Sequence, residues 1–514
     1  MPDLSRRRLL AAAGLTAAGL TASCAAPNSG PTPAQPAPAK PAPSQPVPSQ
    51  KAWDDLARRL HGSLARPGSP DYAPLATPRN LRFAATMPEA VAICADAEDI
   101  SATIRWARES NTPFAVRGGG HNYTDGSATR GILISTRRMN AARLDGTTLH
   151  AQSGVRNADL ATLLPQGGVG RLLLPGGTCP GVGVAGLTLG GGIGPNAPWA
   201  GLTADRLRKA VVVTAAGDLV TAGATENPDL FWALRGGGGG NFGVVTDLEY
   251  ELVEVPVTRA TTAELTVTGI DAAVATALGF QELRAAAART ATGNLYVGIA
   301  DGDVMATLSV QILAGEADAR SLLSGLLTIP GMKADVAERD WWDTYRWYVT
   351  EPRPAYSFWD RSLYADEALS GDVLSAALDV LRRFPAGDDP GRDGGIGLLG
   401  WVGGAVADIA TDATAYVHRG ARLLVEMSSS WTTPAQPDWP ATPIPADIMD
   451  WEDELWQTLV PHTTGRSYQN FPDPELQDWA HAYYGDNLIR LQGVKAEWDP
   501  DAVFTHHQGV PLPR

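Results

Sequence analysis

The stretch from Phe114 to Ser135, "FAVRGGGHNYTDGSATRGILIS", has the residue types and spacing for chemistry at a bound group. "FAVR" reads as a strand, Gly118, Gly119 and Gly120 follow it, and His121 comes next. Glycines accept positive φ and let a backbone come close to a ligand. A histidine directly after them sits where that ligand would be, so a phosphate, or a cofactor that carries phosphates, is expected here. Further glycine runs follow in "LLLPGGTCPGVGVAGLTLGGGIG" and "RGGGGGNFGVVT", each between apolar segments. A dinucleotide fold of the G-x-G-x-x-G type needs its glycines to open a helix, with an acidic residue about 20 positions on. "RGGGH" does not open an amphipathic helix, and no GxxxxGK[ST] is present, so neither that fold nor a P-loop is read. The three cysteines, Cys24, Cys94 and Cys179, cannot make a disulfide framework, and no CxxC pair points to zinc, so no metal is expected.

These residues need a scaffold, and the chain has one. Its 514 residues suffice for two or three domains, and 44% hydrophobic with 19% charged residues fits folded cores. A net charge of −15 argues against nucleic acid as a partner. Residues 1–25 read as a twin-arginine signal peptide: Arg6, Arg7 and Arg8 precede a short Ala- and Gly-rich apolar run, which is too short for a membrane anchor. Export is therefore expected, to the outside or the cell surface. "LTASC" resembles an imperfect lipobox, leaving lipidation of Cys24 with membrane attachment, or simple cleavage near Ala25 or Ala26. Residues 26–50, with proline every two or three positions, read as an extended spacer or an inconsequential leader.

Residues 51–256 are expected to form a first, glycine-loop domain, opening on a short helical segment. "AVAICADA" reads as a strand with Cys94 in the core, and "AEDISATIRWARES" as a helix with Ile104 and Ala107 on one face. "ILIST", "ARLDG", "TLHAQSG", "VVVTAAG" and "LVTAG" read as strands, "RNADLATLLPQ" as a helix and "GLTADRLRKA" as helix-like. Residues 257–466 alternate strands such as "LYVGIA" and "ATLSVQIL" with helices such as "ALSGDVLSAALDVLRRF". Their clustered tryptophans, "RDWWDTYRWYV" and "YSFWDRS", suggest an aromatic-lined face. Residues 467–514 form a closing segment with a helix and a polar tail. The fold class expected is α+β.

Taken in order, "PFAVRGGGHNYTDGS", "LLPGGTCPGVGVAGLTLGGGIG", "GLTADRL", "DLFWALRGGGGGNFGVVT" and "YYGDNLIRLQGVKAEWDPDAVF" resemble the berberine bridge enzyme-like branch of the vanillyl-alcohol oxidase type flavoproteins. The resemblance spans roughly residues 78–512. It implies a two-part FAD-binding domain of the PCMH type, an α/β substrate domain with a large antiparallel sheet, and a last segment that returns to the FAD domain. It further implies that amides of Gly118 to Gly120 hold the FAD pyrophosphate, that His121 bonds the 8α-methyl of the flavin, and that Cys179 bonds its C6. The physics suits both tethers, because a neutral imidazole and an ionised thiol are nucleophiles. The bland alternatives are a histidine that only hydrogen-bonds and a thiol that stays unreacted. By position, Arg117, Asn122 and Ser127 from the first motif, and Gly177, Thr178, Gly183, Gly186 and Leu187 from the second, also contact the cofactor. Gly191 and Gly192 are expected to pack on the flavin, and Gly243, Val244 and Val245 on the adenine side. Tyr484 and Asn487 sit beside the flavin. Val182 occupies a gate position where valine accompanies reactivity with dioxygen.

A flavin oxidase passes a hydride from substrate to N5 and needs a base for the substrate hydroxyl. "YQN", Tyr468 to Asn470, resembles the family's Tyr-x-Asn motif and makes Tyr468 the base, although a free tyrosine has a pKa near ~10. Glu426 stands where many members have glutamine. It could polarise Tyr468, bind a substrate amine or act as base. The strand before "GGAV" (403–406) is read as lacking the carboxylate that carbohydrate oxidases of the family place there, which disfavours a sugar. The expected reaction is oxidation of an alcohol, sugar or secondary-metabolite hydroxyl, with dioxygen reduced to hydrogen peroxide. A tailoring dehydrogenase, a ring-closing or amine oxidase, and a ligand-binding protein on the same fold are the alternatives.

Overall fold

A computed structural model describes residues 48–167, 170–350, 354–433 and 443–513. The twin-arginine segment, Cys24 and most of the proline-rich spacer lie outside the described residues.

The first sheet has the order β1 (Ser63–Ala65), β2 (Ala90–Ile93), β4 (Ile132–Ser135), β3 (Phe114–Arg117), with β2, β4 and β3 parallel. Strands covered on both faces carry continuous apolar runs, and "AVAI" and "ILIS" are buried at every residue. The helix Ala97–Glu109 packs on this sheet through Ile100, Ile104 and Ala107. It starts where it does because the Asp96 carboxylate accepts from the Asp99 amide and acidic residues fill the first turn. Cys94 lies one residue past β2, fully buried, and burial pushes its thiol far up. The opening segment is less helical than expected, because β1 separates its helices Gln50–Arg59 and Tyr72–Ala76.

The second sheet runs β5 (Ala142–Asp145), β6 (Thr148–Gln152), β10 (Val244–Glu251), β8 (Leu207–Val213), β9 (Leu219–Gly223), all antiparallel. "GLTADRLRKA" departs from the helical expectation. It is a short 3-10 turn, Thr203–Arg206, that runs straight into β8. The Asp205 carboxylate accepts from the Leu202 amide and pairs with Arg419, which ends the turn, and the β-branched run Val211 to Val213 then continues the strand. β7 (Leu172–Leu173) pairs with β11 (Val253–Glu254) at the edge of this part.

The third sheet is antiparallel throughout. Its order is β15 (Lys333–Asp340), β12 (Arg259–Thr268), β14 (Asp303–Ile312), β13 (Ala291–Ala300), β17 (Asp393–Leu399), β18 (Leu423–Trp431), β16 (Ser357–Ala365). Side chains alternate between its faces. Leu295, Val297, Ile396, Leu398, Val425, Met427 and Leu363 point to one face and form a core with the helices Ile270–Ala286, Gly371–Leu381 and Ala446–Leu459. Leu399, Leu424 and Tyr364 point to the other face and join Tyr416 and Tyr468 in a separate cluster. Trp341 and Trp342 of the helix Trp341–Tyr348 do not line this face as expected, whereas Tyr348 donates to the carbonyls of Thr292 and Ser309 on β13 and β14. Trp341 is fully buried in the core of the second sheet, where it anchors that helix.

The closing segment returns to the glycine-rich part. Lys495, on the helix Leu488–Trp498, donates to the carbonyls of Asn241 and Phe504 and pairs with Asp499 at 2.6 Å. The Val510 amide donates to the Asn241 side chain, which holds the tail against the loop before β10.

Candidate active site

β3 delivers the chain to Gly118, and the loop then turns at Gly120, where φ is +73°. The second glycine loop, 181–183, interlocks with it. A Cβ on Gly119 would overlap the Gly183 amide, and one on Gly183 would meet the Gly119 amide at 2.6 Å. Two bare backbones thus lie against each other at the lip of one cleft. Gly118, Gly119, Gly120, His121, Asn122 and Ser127 line it from the first loop. Gly177, Thr178, Cys179, Val182 and Gly183 line it from the second, followed by Gly186 and Leu187. Gly243, Val244 and Val245 close one end, and Tyr484 and Tyr468 reach it from the closing segment.

Four of the expected cofactor contacts lie elsewhere. The Arg117 guanidinium is consumed by the carbonyls of Leu75, Ala76, Thr77 and Ser127, so it fastens the opening segment to the loop. Asn487 donates to the carbonyls of Thr411 and Thr414. Gly191 and Gly192 have φ of +108° and +80° and sit against Tyr416 and Thr203, so their lack of a side chain serves protein packing.

The cleft carries the marks of a bound group. Thr136 Oγ1, Ser153 Oγ and His506 Nε2 are buried without hydrogen-bond partners, and all three residues line it. Buried polar atoms are normally satisfied. A ligand with phosphates, a sugar and a polar ring edge would meet both these atoms and the bare amides of the loops. Those residues fit FAD. His121 is held neutral, with its pKa lowered to about 4 by burial and then by the nearby charge of Arg79. Cys179 is a half-buried free thiol in the same cleft, and the loop carrying it contacts His121: a Cβ on Gly181 would lie 3.7 Å from His121 Cδ2.

The third sheet supplies the opposite wall. Glu426 projects from β18 into the cleft, and Trp401, just after β17, lies beside it. The neighbouring strand gives Glu426 space: Gly397 is its cross-strand partner, and Gly395 leaves room for the Tyr296 ring. Burial raises the Glu426 carboxyl to about 7. Tyr468 is held differently. Its phenol oxygen accepts from the Gly192 amide and from Asn470 Nδ2, both at 3.1 Å, and more weakly from Ile193. Burial pushes its pKa above the ordinary value. The bonds it accepts favour the phenolate and offset part of that rise. Tyr468 and Glu426 both face the cleft as candidate bases, and the Glu426 carboxyl is the one held near neutral pH.

β17 does contain a carboxylate, contrary to the expectation, but Asp393 stands at its exposed outer end, while Leu399 and then Trp401 face the cleft. Two features of the site escaped the sequence reading. Tyr123 stacks on Phe471 at 4.9 Å and meets Phe358 edge-on at 5.2 Å, which builds an aromatic wall. Tyr123 lies two residues after His121, and that spacing was the available signal. Asp360 shares the cleft-facing side of β16 with Phe358 and Ser362. Its neighbour in sequence, Arg361, points to the other face and pairs with Asp473 at 2.9 Å.

Comparison with known proteins agrees with this geometry. Residues 88–223 match the family profile described as an FAD binding domain, and residues 467–511 match "Berberine and berberine like". Xylooligosaccharide oxidase of Thermothelomyces thermophilus is 30% identical over 484 residues, covering 89% of this chain and 94% of that protein. An uncharacterized FAD-linked oxidoreductase of Bacillus subtilis, YgaK, is 28% identical over 462 residues, covering 88% of this chain and 97% of its own length. Among solved structures, glucooligosaccharide oxidase from Acremonium strictum, described with a 6-S-cysteinyl, 8α-N1-histidyl FAD, superposes with a TM-score of 0.78 at 27% identity, covering 90% of this chain and 99% of that one.

Proposed function

The chain belongs to the berberine bridge enzyme-like FAD-linked oxidases of the PCMH superfamily, and from that premise we propose that it oxidises a CH–OH group of a small molecule with Glu426 as the base. Its fold is the family's α+β arrangement, an FAD-binding part in two pieces and a domain built on a large antiparallel sheet, and it is an FAD-linked oxidoreductase. FAD, when bound, would supply the two-electron acceptor for the substrate's hydride and would pass those electrons to dioxygen to give hydrogen peroxide.

The chain's own residues supply position and proton transfer. Amides of Gly118 to Gly120 and the hydroxyls of Thr136 and Ser153 would hold the pyrophosphate. His121 and Cys179 are the tethers. The neutral state of His121 supports this, since a protonated imidazole has no lone pair to offer. So does the doubly linked flavin described for the glucooligosaccharide oxidase. Val182 lines the cleft with a small side chain and leaves room for dioxygen.

The observation that carries the assignment is the Glu426 carboxyl, held near 7 on the cleft wall. General bases work best with a pKa near the operating pH. Glu426 takes the hydroxyl proton as the C–H bond is broken, and Tyr468 donates a fixed hydrogen bond at the same wall. The substrate class rests on relatives that are oligosaccharide oxidases by name. Export through the twin-arginine route, with Cys24 either lipidated or removed, is proposed from Arg6 to Arg8 and the apolar run after them.

Two measurements test this reading. The denatured wild-type protein is expected to retain one FAD by intact mass and visible spectrum, and the His121→Ala, Cys179→Ala double variant to lose it. Release of all flavin from the wild type on denaturation would remove the tethers. A panel of sugars, alcohols and amines scored for peroxide is expected to give its signal with hydroxyl donors, and a signal from amines alone would overturn the CH–OH assignment.

A further inference from the structure

Glu426 is not the only carboxyl on the cleft wall. In the pairing of β16 with β18, Ser362 lies opposite Glu426 and Asp360 opposite Ser428. Asp360 and Glu426 are therefore diagonal neighbours on one face. Such positions are about 7–8 Å apart at Cα, within reach of two carboxyl side chains. The floor around them is kept low, with Gly397 and Gly395 opposite Glu426 and Ser428 on β17.

We propose that Asp360 is a positioning residue for Glu426, with the two carboxyls holding a single proton between them, Glu426 as the ionised base and Asp360 as the neutral member. This rests on the reading of Glu426 as base. The charge balance of the wall supports it. Burial raises both carboxyls, and the Glu426 charge raises Asp360 further. Two carboxylates this close in a poorly solvated site do not both ionise near neutral pH.

Among the described residues, the groups that face the pair do not supply a second counter-charge. Tyr123 from the loop after β3 is raised by burial and by these two carboxyls, and Tyr296 from β13 by burial, then by Asp393 at the outer end of β17 and by the two carboxyls, so both remain neutral phenols. Glu452 reaches the sheet from its other side, accepts from Ser429 Oγ, and is also pushed up by burial. Arg79 is the cation whose charge reaches Asp360, and it offsets part of the burial effect there. Its guanidinium lies 5.0 Å from the Tyr356 ring and donates to the Pro354 carbonyl, so it is shared with other partners. Among the described residues one positive charge faces two carboxyls, which leaves one of them to be neutralised by a proton.

A neutral Asp360 has an O–H to direct toward the substrate or toward Glu426. It also prevents a second negative charge from building up beside the base. Loss of that proton at higher pH would place two anions on the wall and weaken binding of a hydroxyl substrate.

The test needs no known substrate. The carboxyl C=O stretch of the flavin-loaded enzyme is followed by infrared spectroscopy against pH in wild type, Asp360→Asn and Glu426→Gln, all in a Glu452→Gln background that removes the neighbouring protonated carboxyl. At pH 8, Asp360→Asn is expected to lose one protonated carboxyl band. In Glu426→Gln the midpoint of Asp360 is expected to fall by about one pH unit or more, because the charge that raises it is gone. An Asp360 midpoint unmoved by Glu426→Gln, or no band lost in Asp360→Asn, would overturn the proposal. Should Asp360→Asn not fold, the Glu426→Gln comparison alone decides. The base reading fails separately, if Glu426→Gln turns over the peroxide-screen substrate at the wild-type rate.

Discussion

Two of the buried pairs of charged side chains in this molecule are built on opposite terms. At the first, Arg419 meets Asp205 with two bonds of 2.8 and 2.9 Å, and the two side chains are 2% and 1% exposed. Arg419 donates further to Thr414 Oγ1, and Asp205 accepts from the Leu202 amide. The pair has opposite signs and nearly all its hydrogen bonds. At the second, Asp360 and Glu426 have the same sign and share one face of the wall, and burial raises both. Completed pairs hold parts of a protein together, whereas unresolved charge beside a cleft is how a group is tuned for proton transfer. The Asp205–Arg419 pair joins the turn before β8 to the segment leading into β18, so it keeps the second wall in register with the glycine loops. The carboxyl pair uses the wall that the ion pair fixes.

The two sites should answer substitution in different ways. Glu426→Gln is expected to slow flavin reduction by about 10²–10⁴-fold, the range for loss of a general base, with the fold intact by circular dichroism. Asp205→Ala leaves Arg419 buried and unpaired, which costs about 3–5 kcal/mol and lowers the thermal midpoint. The pH dependence of stability separates them again. Glu426 is near 4.5 in the unfolded chain and about 7 in the fold, so its contribution is fully present below pH 4.5 and is lost as pH rises through 7. Thermal midpoints of wild type and Glu426→Gln, compared at pH 5 and pH 8, should therefore converge or cross in favour of the variant at pH 8. The smallest effect is expected at Tyr468→Phe. It removes one neutral donor, worth about 1 kcal/mol, and should slow flavin reduction about fivefold.

Much of the cofactor side was legible before the structure. The glycine loops, His121 and Cys179 lie within short motifs whose meaning is local, and the structure gathers them at one cleft. The wall was less legible because it depends on pairing between distant segments. Asp360 and Glu426 are brought side by side by the register of β16 against β18, and period-two alternation gives a face for each strand but no partner. Tyr468 was read from its motif alone, while its fixed geometry comes from the amide of Gly192, 276 residues away. Arg117 and Asn487 sit within the motifs, yet their side chains turn to nearby carbonyls. Motif position did not distinguish a side chain that faces the ligand from one that holds the loop behind it.

The most direct test is the pH dependence of anaerobic, single-turnover flavin reduction in the wild-type enzyme, with a hydroxyl substrate returned by the peroxide screen. The rate should rise about tenfold per pH unit on the acid side and level off through a midpoint near 7, and Glu426→Gln should lack that rise. A wild-type rate that is flat from pH 5 to 8, or a rise that persists in Glu426→Gln, would contradict Glu426 as the base.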